Sequence, residues 1–166
     1  MNVYRLGRLT LVAWLCLAAV GDGPSARDPL PRVALFPLHL LDSSLEGELA
    51  GADPAEAARL ALLDRELRAR IERSGRLELA VPAGPARPGC RACVAEAAAA
   101  VGADYALTGW VQKVSDLILN INLRVTDART GAVVFQDSVD IRGNTDESWL
   151  HGLRHLVDRR LLAPPR

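Results

Sequence analysis

The clearest pattern of apolar and polar positions lies between Gly102 and Arg142. Leu117, Leu119, Ile121, Leu123 and Val125 alternate there with Ile118, Asn120, Asn122, Arg124 and Thr126. A period of two predicts a strand with one apolar row and one mostly polar row. Downstream, Val133, Phe135, Val139 and Ile141 are expected to share a face, with Asp137 the exception. Asp127–Gly131 between them reads as a hairpin loop, with Gly131 free to take positive φ. Together with the preceding GADYALTGWVQKV, this block predicts three successive strands joined by tight turns.

Around the block the period becomes helical. Asp53-Pro-Ala-Glu56 supplies an N-cap, a proline at the first helical position and a glutamate at N3, the arrangement of a capping box. Leu60, Leu63, Leu67 and Ile71 then form one stripe, and Gly75 is placed to end the helix. Arg68, Arg70 and Arg73 alternate with Glu66 and Glu72, which reads as a solvated helix face. Val94–Val101 predicts a short helix. Asn144–Ser148 predicts the start of a last one, with Trp149, Leu153, Leu156, Val157 and Leu161 as its buried stripe. Arg32–Leu41 and Arg76–Val81 read as strands, with Pro37 marking a bend, a bulge or an edge. Asp42–Asp53 and Pro82–Gly89 read as loops. The expected fold is one α/β domain over residues 32–163, in the order β-α-β-α-β-β-β-α. Its sheet is mixed and mainly antiparallel, and its helices pack chiefly on one face.

The first residues change the picture of where the domain works. Arg5 and Arg8 precede an uncharged run from Leu9 to Val20. That run is shorter than the roughly 20 residues a membrane span needs, so 1–21 reads as a cleavable secretory signal, with no membrane span. Cys16 raises lipidation as an alternative, but Ala13-Trp14-Leu15 is a poor match to the small-residue context expected before a lipidated cysteine. Residues 22–31 form a polar, proline-rich linker. The expected location is a bacterial periplasm. The formal net charge of the whole chain is +0, which offers no general attraction for nucleic acid or an anionic membrane. Lys113 is the only lysine among many arginines, a bias that reads as coding composition.

The sharpest chemical motif is Cys90-x-x-Cys93 before a helix. A thiol there feels the helix dipole and backbone N–H groups, which favour thiolate. In an oxidising compartment the pair also closes readily into a structural disulfide. Against an oxidoreductase, no tryptophan precedes Cys90 and no proline follows in the strands to form a cis-proline loop. A structural zinc site needs four ligands, and haem attachment would need histidine where Val94 stands. The acidic segment with Asp42, Glu46, Glu48 and Asp53 reads either as a cation site or as a solvated loop. His151 and His155 have metal-compatible spacing, but Gly152 occupies the place of a catalytic glutamate. Trp110 alternates onto one face with Thr108 and Gln112. Asn120, Asn122 and Arg124 form a polar row, read either as a recognition surface or as a solvent face.

Phe36-Pro37, VGADYALTG at 101–109 and LRVTDARTG at 123–131 resemble a group of bacterial envelope modules that includes the TolB N-terminal domain and CsgG. A closer resemblance is to a family of uncharacterised periplasmic proteins. It rests on the SLEGE segment at 44–48, the CxxC at 90–93, VQKVS with LILNIN at 111–122, and DIRGNTDESW at 140–149. The resemblance implies a fold and no activity.

The resulting expectation is a non-catalytic periplasmic binding or assembly module that acts through an envelope protein partner. No catalytic residue, metal site or cofactor is assigned, and the oligomeric state stays open. Candidate surfaces comprise Ser44, Glu46 and Glu48; Trp110, Gln112, Asn120, Asn122 and Arg124; and Asn144, Asp146 and Glu147. The alternatives are a thiol redox or redox-responsive accessory protein using Cys90 and Cys93, and a small-ligand or metal-ion sensor.

Overall fold

The computed structural model describes residues 29–51, 53–82, 84 and 89–163. The expected signal segment 1–21 and most of the linker lie outside them. Eleven elements follow: β1 (Arg32–Leu35), β2 (His39–Asp42), α1 (Leu45–Ala50), α2 (Pro54–Ser74), β3 (Glu78–Ala80), α3 (Arg91–Ala100), β4 (Tyr105–Ser115), β5 (Ile118–Asp127), β6 (Val133–Ile141), α4 (Asp146–Leu156) and a π-helical turn (Val157–Leu161). They build one open six-stranded sheet in the order β3-β1-β4-β5-β6, with β2 also paired to β4. The long β4–β5 and β5–β6 pairings are antiparallel, and the short pairings of β1 and β2 to β4 and of β1 to β3 are parallel. The mixed, mainly antiparallel sheet matches the expectation.

The predicted first strand is two strands. Phe36 still donates its amide to the Leu107 carbonyl at 3.0 Å. Pro37 has no N–H to continue the ladder. Leu38 then turns its amide to Asp64 Oδ1 of α2 at 2.9 Å, and pairing with β4 resumes at His39 opposite Trp110.

The two faces of the sheet are covered differently. On one, Leu107, Val111, Leu119, Ile121, Leu123 and Ile141 meet Leu63, Leu67 and Ile71 of α2, and Trp149, Leu153 and Leu156 of α4. Each fully buried side chain of this kind contributes roughly 1.5–3 kcal/mol. On the other face α3 sits alone, on a bed of small residues: Ala34, Ala80, Ala103, Ala106 and Ala128 meet Ala98 and Val94. The helices therefore lie chiefly on one face, with α3 the exception.

Four local expectations need correction. The 42–53 segment contains α1, capped by Ser44, whose side chain accepts from Gly47 N. Glu56 does not fold back to complete a capping box: Asp53 caps α2 by accepting from Ala55 N, and Glu56 is buried elsewhere. Val133 leaves the row of Phe135, Val139 and Ile141, because a register shift sets it opposite Thr126 while Phe135 opposes Val125. Leu117 likewise falls in the exposed β4–β5 turn, outside the buried row. The hairpin at Asp127–Gly131 forms as expected, with Asp127 Oδ1 accepting from Arg129 N and Thr130 N, and Gly131 at φ 71°.

Candidate functional site

The face of β4 on the α3 side runs Ala106, Thr108, Trp110, Gln112, Val114. Alanine lets α3 approach closely at one end. Beyond it the side chains are larger, and α3 begins beside Thr108 and Trp110, leaving a cleft of about 260 Å³. His39, Leu41, Thr108, Trp110, Arg124 and Thr126 form its sheet side, and Gly89, Cys90, Arg91 and Val94 its helix side. Cys90 is the N-cap of α3 and accepts from Cys93 N through its sulfur. Cys90 and Cys93 lie at disulfide distance, with Cα atoms 5.4 Å apart. The link therefore holds the first turn of the helix that walls the cleft.

Trp110 is the centre of this surface. His39 stacks on it from β2, with ring centroids 6.4 Å apart, and the Arg124 guanidinium lies 5.0 Å from its ring centroid. The cation–π contact and the Arg124 Nε bond to Gln136 Oε1 at 2.9 Å hold the guanidinium over the indole. Partial burial lowers the pKa of His39 below the ordinary histidine value, so it is neutral at pH 7. Among the described residues the cleft lining contains Arg91 and Arg124 and no carboxylate.

The other expected surfaces converge on a second place. Lys113 points from β4 into the end of the helix-covered face and is nearly fully buried. Its Nζ lies 2.6 Å from Glu56 Oε1, 3.0 Å from Asp116 Oδ1 and 3.7 Å from Asp42 Oδ2. Burial opposes its charge, but the hydrogen bonds it donates to Glu56 and Asp116 outweigh that and hold its pKa well above the ordinary lysine value. Asn144 donates to Glu56 at 2.7 Å and to Asp116 at 3.0 Å, and accepts from Trp149 Nε1 at 3.1 Å. Asp42 Oδ1 accepts from the amide and hydroxyl of Ser44. A Cβ at Gly47 would lie 2.4 Å from Asp42 Oδ2, so the SLEGE segment needs its glycine to close over this carboxylate. Asp42 and Glu56, read as possible cation ligands or caps, thus surround the one lysine. Among the described residues no His, Cys, Asp or Glu cluster is arranged to hold a metal ion.

The expected residues therefore separate. Trp110, Arg124, Cys90 and Cys93 come together at the cleft. Gln112, Asn120 and Asn122 extend the same sheet face, where Asn120 bonds Asp140 at 2.7 Å and Asn122 bonds Asn120 at 2.6 Å. Ser44, Glu46 and Asn144 gather around Lys113, and Asp146 pairs with Arg59 at 2.9 Å. Glu48 and Glu147 are exposed. His39 and Arg91 were not singled out for the cleft. Their placement depends on the parallel β2–β4 register and the site of α3, which no local pattern encodes. Lys113 and Glu56 were also missed as partners; a lone lysine interrupting an apolar strand row was the available signal.

The chain matches, over residues 31–161, the family described as protein of unknown function (DUF2380), and it belongs to that family. No curated protein matches it by sequence. Among solved structures it is similar to the PelC dodecamer from Paraburkholderia phytofirmans, with 17% identity, 82% of this chain and 90% of that one covered, and a TM-score of 0.54. It is also similar to the LpoB C-terminal domain from Salmonella enterica (14% identity, 68% and 82% covered, TM-score 0.49). TolB from Acinetobacter baumannii, a resemblance expected from sequence, shares 16% identity over 81% of this chain and 29% of its own, with a TM-score of 0.49. At these identities the likeness is one of fold. Among the described residues no helix is long and apolar enough to cross a membrane.

Proposed function

We propose that this member of the DUF2380 family is a non-catalytic binding or assembly module of the bacterial envelope. It is exported by the 1–21 signal to the periplasm and acts through a protein partner that docks on the open sheet face. The observation that carries this reading is Trp110, half-buried between His39 and Arg124 at the mouth of a cleft. Tryptophan and arginine dominate binding hot spots when set in rigid surroundings, and this chain is only 4% aromatic. The turn and helix-end segments at 101–109 and 123–131 resemble those of TolB-type and CsgG-type envelope modules, and that resemblance supports the location.

The test is capture of partners from a periplasmic extract by the mature chain, alongside Trp110→Ala. Retention of a defined protein by the parent and its loss by the variant is expected. Equal retention by both, or none by either, would remove the reading.

A second reading, thiol redox chemistry, is favoured by one observation: Cys90 both caps α3 and lines the cleft. Structural disulfides of secreted proteins lie below about −300 mV, whereas catalytic pairs lie roughly between −270 and −120 mV. On the binding reading the potential falls below about −300 mV. A value in the catalytic range would move the function to the cysteines.

A further inference from the structure

We infer that the cleft between α3 and the sheet is a docking site for an acidic peptide segment of a protein partner, whose carboxylate pairs with Arg124 beside Trp110. The inference rests on the binding reading above and adds the chemistry of the occupant.

The state of Arg124 supports it first. Its Nε is satisfied by Gln136 Oε1 at 2.9 Å, and its guanidinium carbon lies over the Trp110 ring, 5.0 Å from the centroid. Among the described residues its two terminal nitrogens have no hydrogen-bond or salt-bridge partner, whereas Arg59, Arg70 and Arg154 are each spent on a carboxylate. A guanidinium held in place with its terminal nitrogens open is prepared for a planar acceptor such as a carboxylate. Little side-chain entropy remains to be lost when it binds.

The surroundings have the same sign. Arg91 stands at the first turn of α3, on the opposite wall, and the positive end of the α3 dipole faces the same region. Among the described residues the lining carries no acidic side chain, although the whole chain balances 20 basic against 20 acidic residues. The cleft is thus a local positive concavity on a neutral protein. Such a surface selects acidic partners more by complementarity than by overall attraction.

Its size and lining favour a peptide. About 260 Å³ is below the roughly 300–1,000 Å³ of pockets that enclose whole small ligands. It suits one or two side chains of a segment lying across the sheet face. Leu41, Val94 and the Trp110 ring offer apolar contact to a neighbouring side chain, which a free inorganic anion would not use. The polar row of Asn120 and Asn122 continues beyond the cleft along the same face.

The experiment uses the mature chain with its disulfide intact. In that chain Trp110 and Trp149 are the only tryptophans, so two indole N–H resonances report the open face and the buried core separately. The probes are an end-capped hexapeptide of alternating glutamate and leucine, its glutamine counterpart, free glutamate and inorganic phosphate. Saturable movement of the Trp110 signal with the glutamate peptide is expected, with none from the glutamine peptide and no movement of Trp149. Arg124→Gln is expected to weaken binding about tenfold or more, as loss of a charge-assisted contact does. Arg124→Lys is expected to weaken it too, because the planar fork is lost. If Arg124→Gln displaces the Trp149 signal, and so disturbs the fold, exposed Arg91→Gln replaces it and is expected to weaken binding in the same direction.

Equal response to the glutamine peptide, or no response to either peptide, overturns the inference. So does saturation by glutamate or phosphate at the concentration the peptide needs, which would make the cleft a small-anion site. If these probes fail while partner capture still depends on Trp110, the acidic occupant is wrong and the binding reading stands.

Discussion

Lys113→Met is the substitution that tests the interior of this fold most directly. The ammonium is surrounded by Glu56, Asp116 and Asp42, and the Glu56 side chain is only 1% exposed. Methionine conserves most of the volume, so the cost is electrostatic, with little from a cavity. Removing the cation leaves the Glu56 carboxylate the hydrogen bond donated by Asn144 Nδ2 at 2.7 Å. An uncompensated buried charge of this kind costs about 3–5 kcal/mol. Glu56→Gln is milder, about 1–3 kcal/mol, because Asp116 and Asp42 still face the ammonium. The double variant no longer strands a charge, so it is expected to be more stable than Lys113→Met alone. The measurement is a double-mutant cycle by urea unfolding of the mature chain, with unchanged m-values. A cost below about 1 kcal/mol for Lys113→Met, or simple additivity of the two changes, would show that the pair is solvated and refute the argument.

Gly152→Ala is expected to destabilise by about 1–3 kcal/mol through overpacking, less the gain of up to about 1 kcal/mol in helix propensity, because its Cβ would meet Ile141 Cγ2 at 2.4 Å. A thermal melt checks it, and an unchanged or raised Tm would refute it. Stability is expected to be level near pH 7, to fall slightly below about pH 6.5, where the unfolded chain protonates His39 more readily than the folded one, and to decline further in acid. Hydrogen bonds from Arg154 and Arg70 lower the pKa of Glu66 below 4.5; the pKa of Asp42 is also lowered from 3.8, the hydrogen bonds from Ser44 and the nearby Lys113 charge prevailing over burial. Depressed carboxylates contribute fully above their unfolded values and lose that contribution as pH falls through the folded ones. Melts between pH 7 and pH 3 test this, and Glu66→Gln should flatten part of the acid limb. The Lys113 contribution is of opposite sign, complete below its ordinary 10.5 and lost only as pH rises beyond it.

The elements that were legible in the sequence are those whose signals are local. The alternation through Leu119–Val125 reflects a strand with one covered face, and the Asp53-Pro54 start and Gly75 end of α2 are short-range backbone chemistry. What was not legible depends on partners far along the chain. Glu56 occupies the N3 place of a capping box, yet Lys113, a buried cation needing a counter-ion, outcompetes the exposed Asp53 amide for its carboxylate. The row through Val133 fails because a bulge at the β5–β6 pairing changes register, which depends on both strands at once. The cleft is the extreme case. Trp110, Arg124 and Cys90 were each visible as separate candidates, but their union requires the parallel pairing of β2 to β4 and the seat of α3.

That seat has its own explanation. On the face opposite α2 and α4, the sheet offers Ala34, Ala80 and Ala106, while α3 offers Ala95 and Ala98. Alanines bury little area each, so this contact stabilises less per residue than the leucine-rich face. They do allow close backbone approach, and only where the strands carry them. One step along β4 the side chains enlarge to Thr108 and Trp110, and the helix must begin. A change at Ala106 should therefore move α3 and reshape the cleft without touching its lining. Ala106→Leu is expected to shift the Trp110 indole resonance and leave Trp149, on the far side of the sheet, near its parent position. If both tryptophan signals move together, the two faces are not independent, and the cleft is not set by the alanine bed.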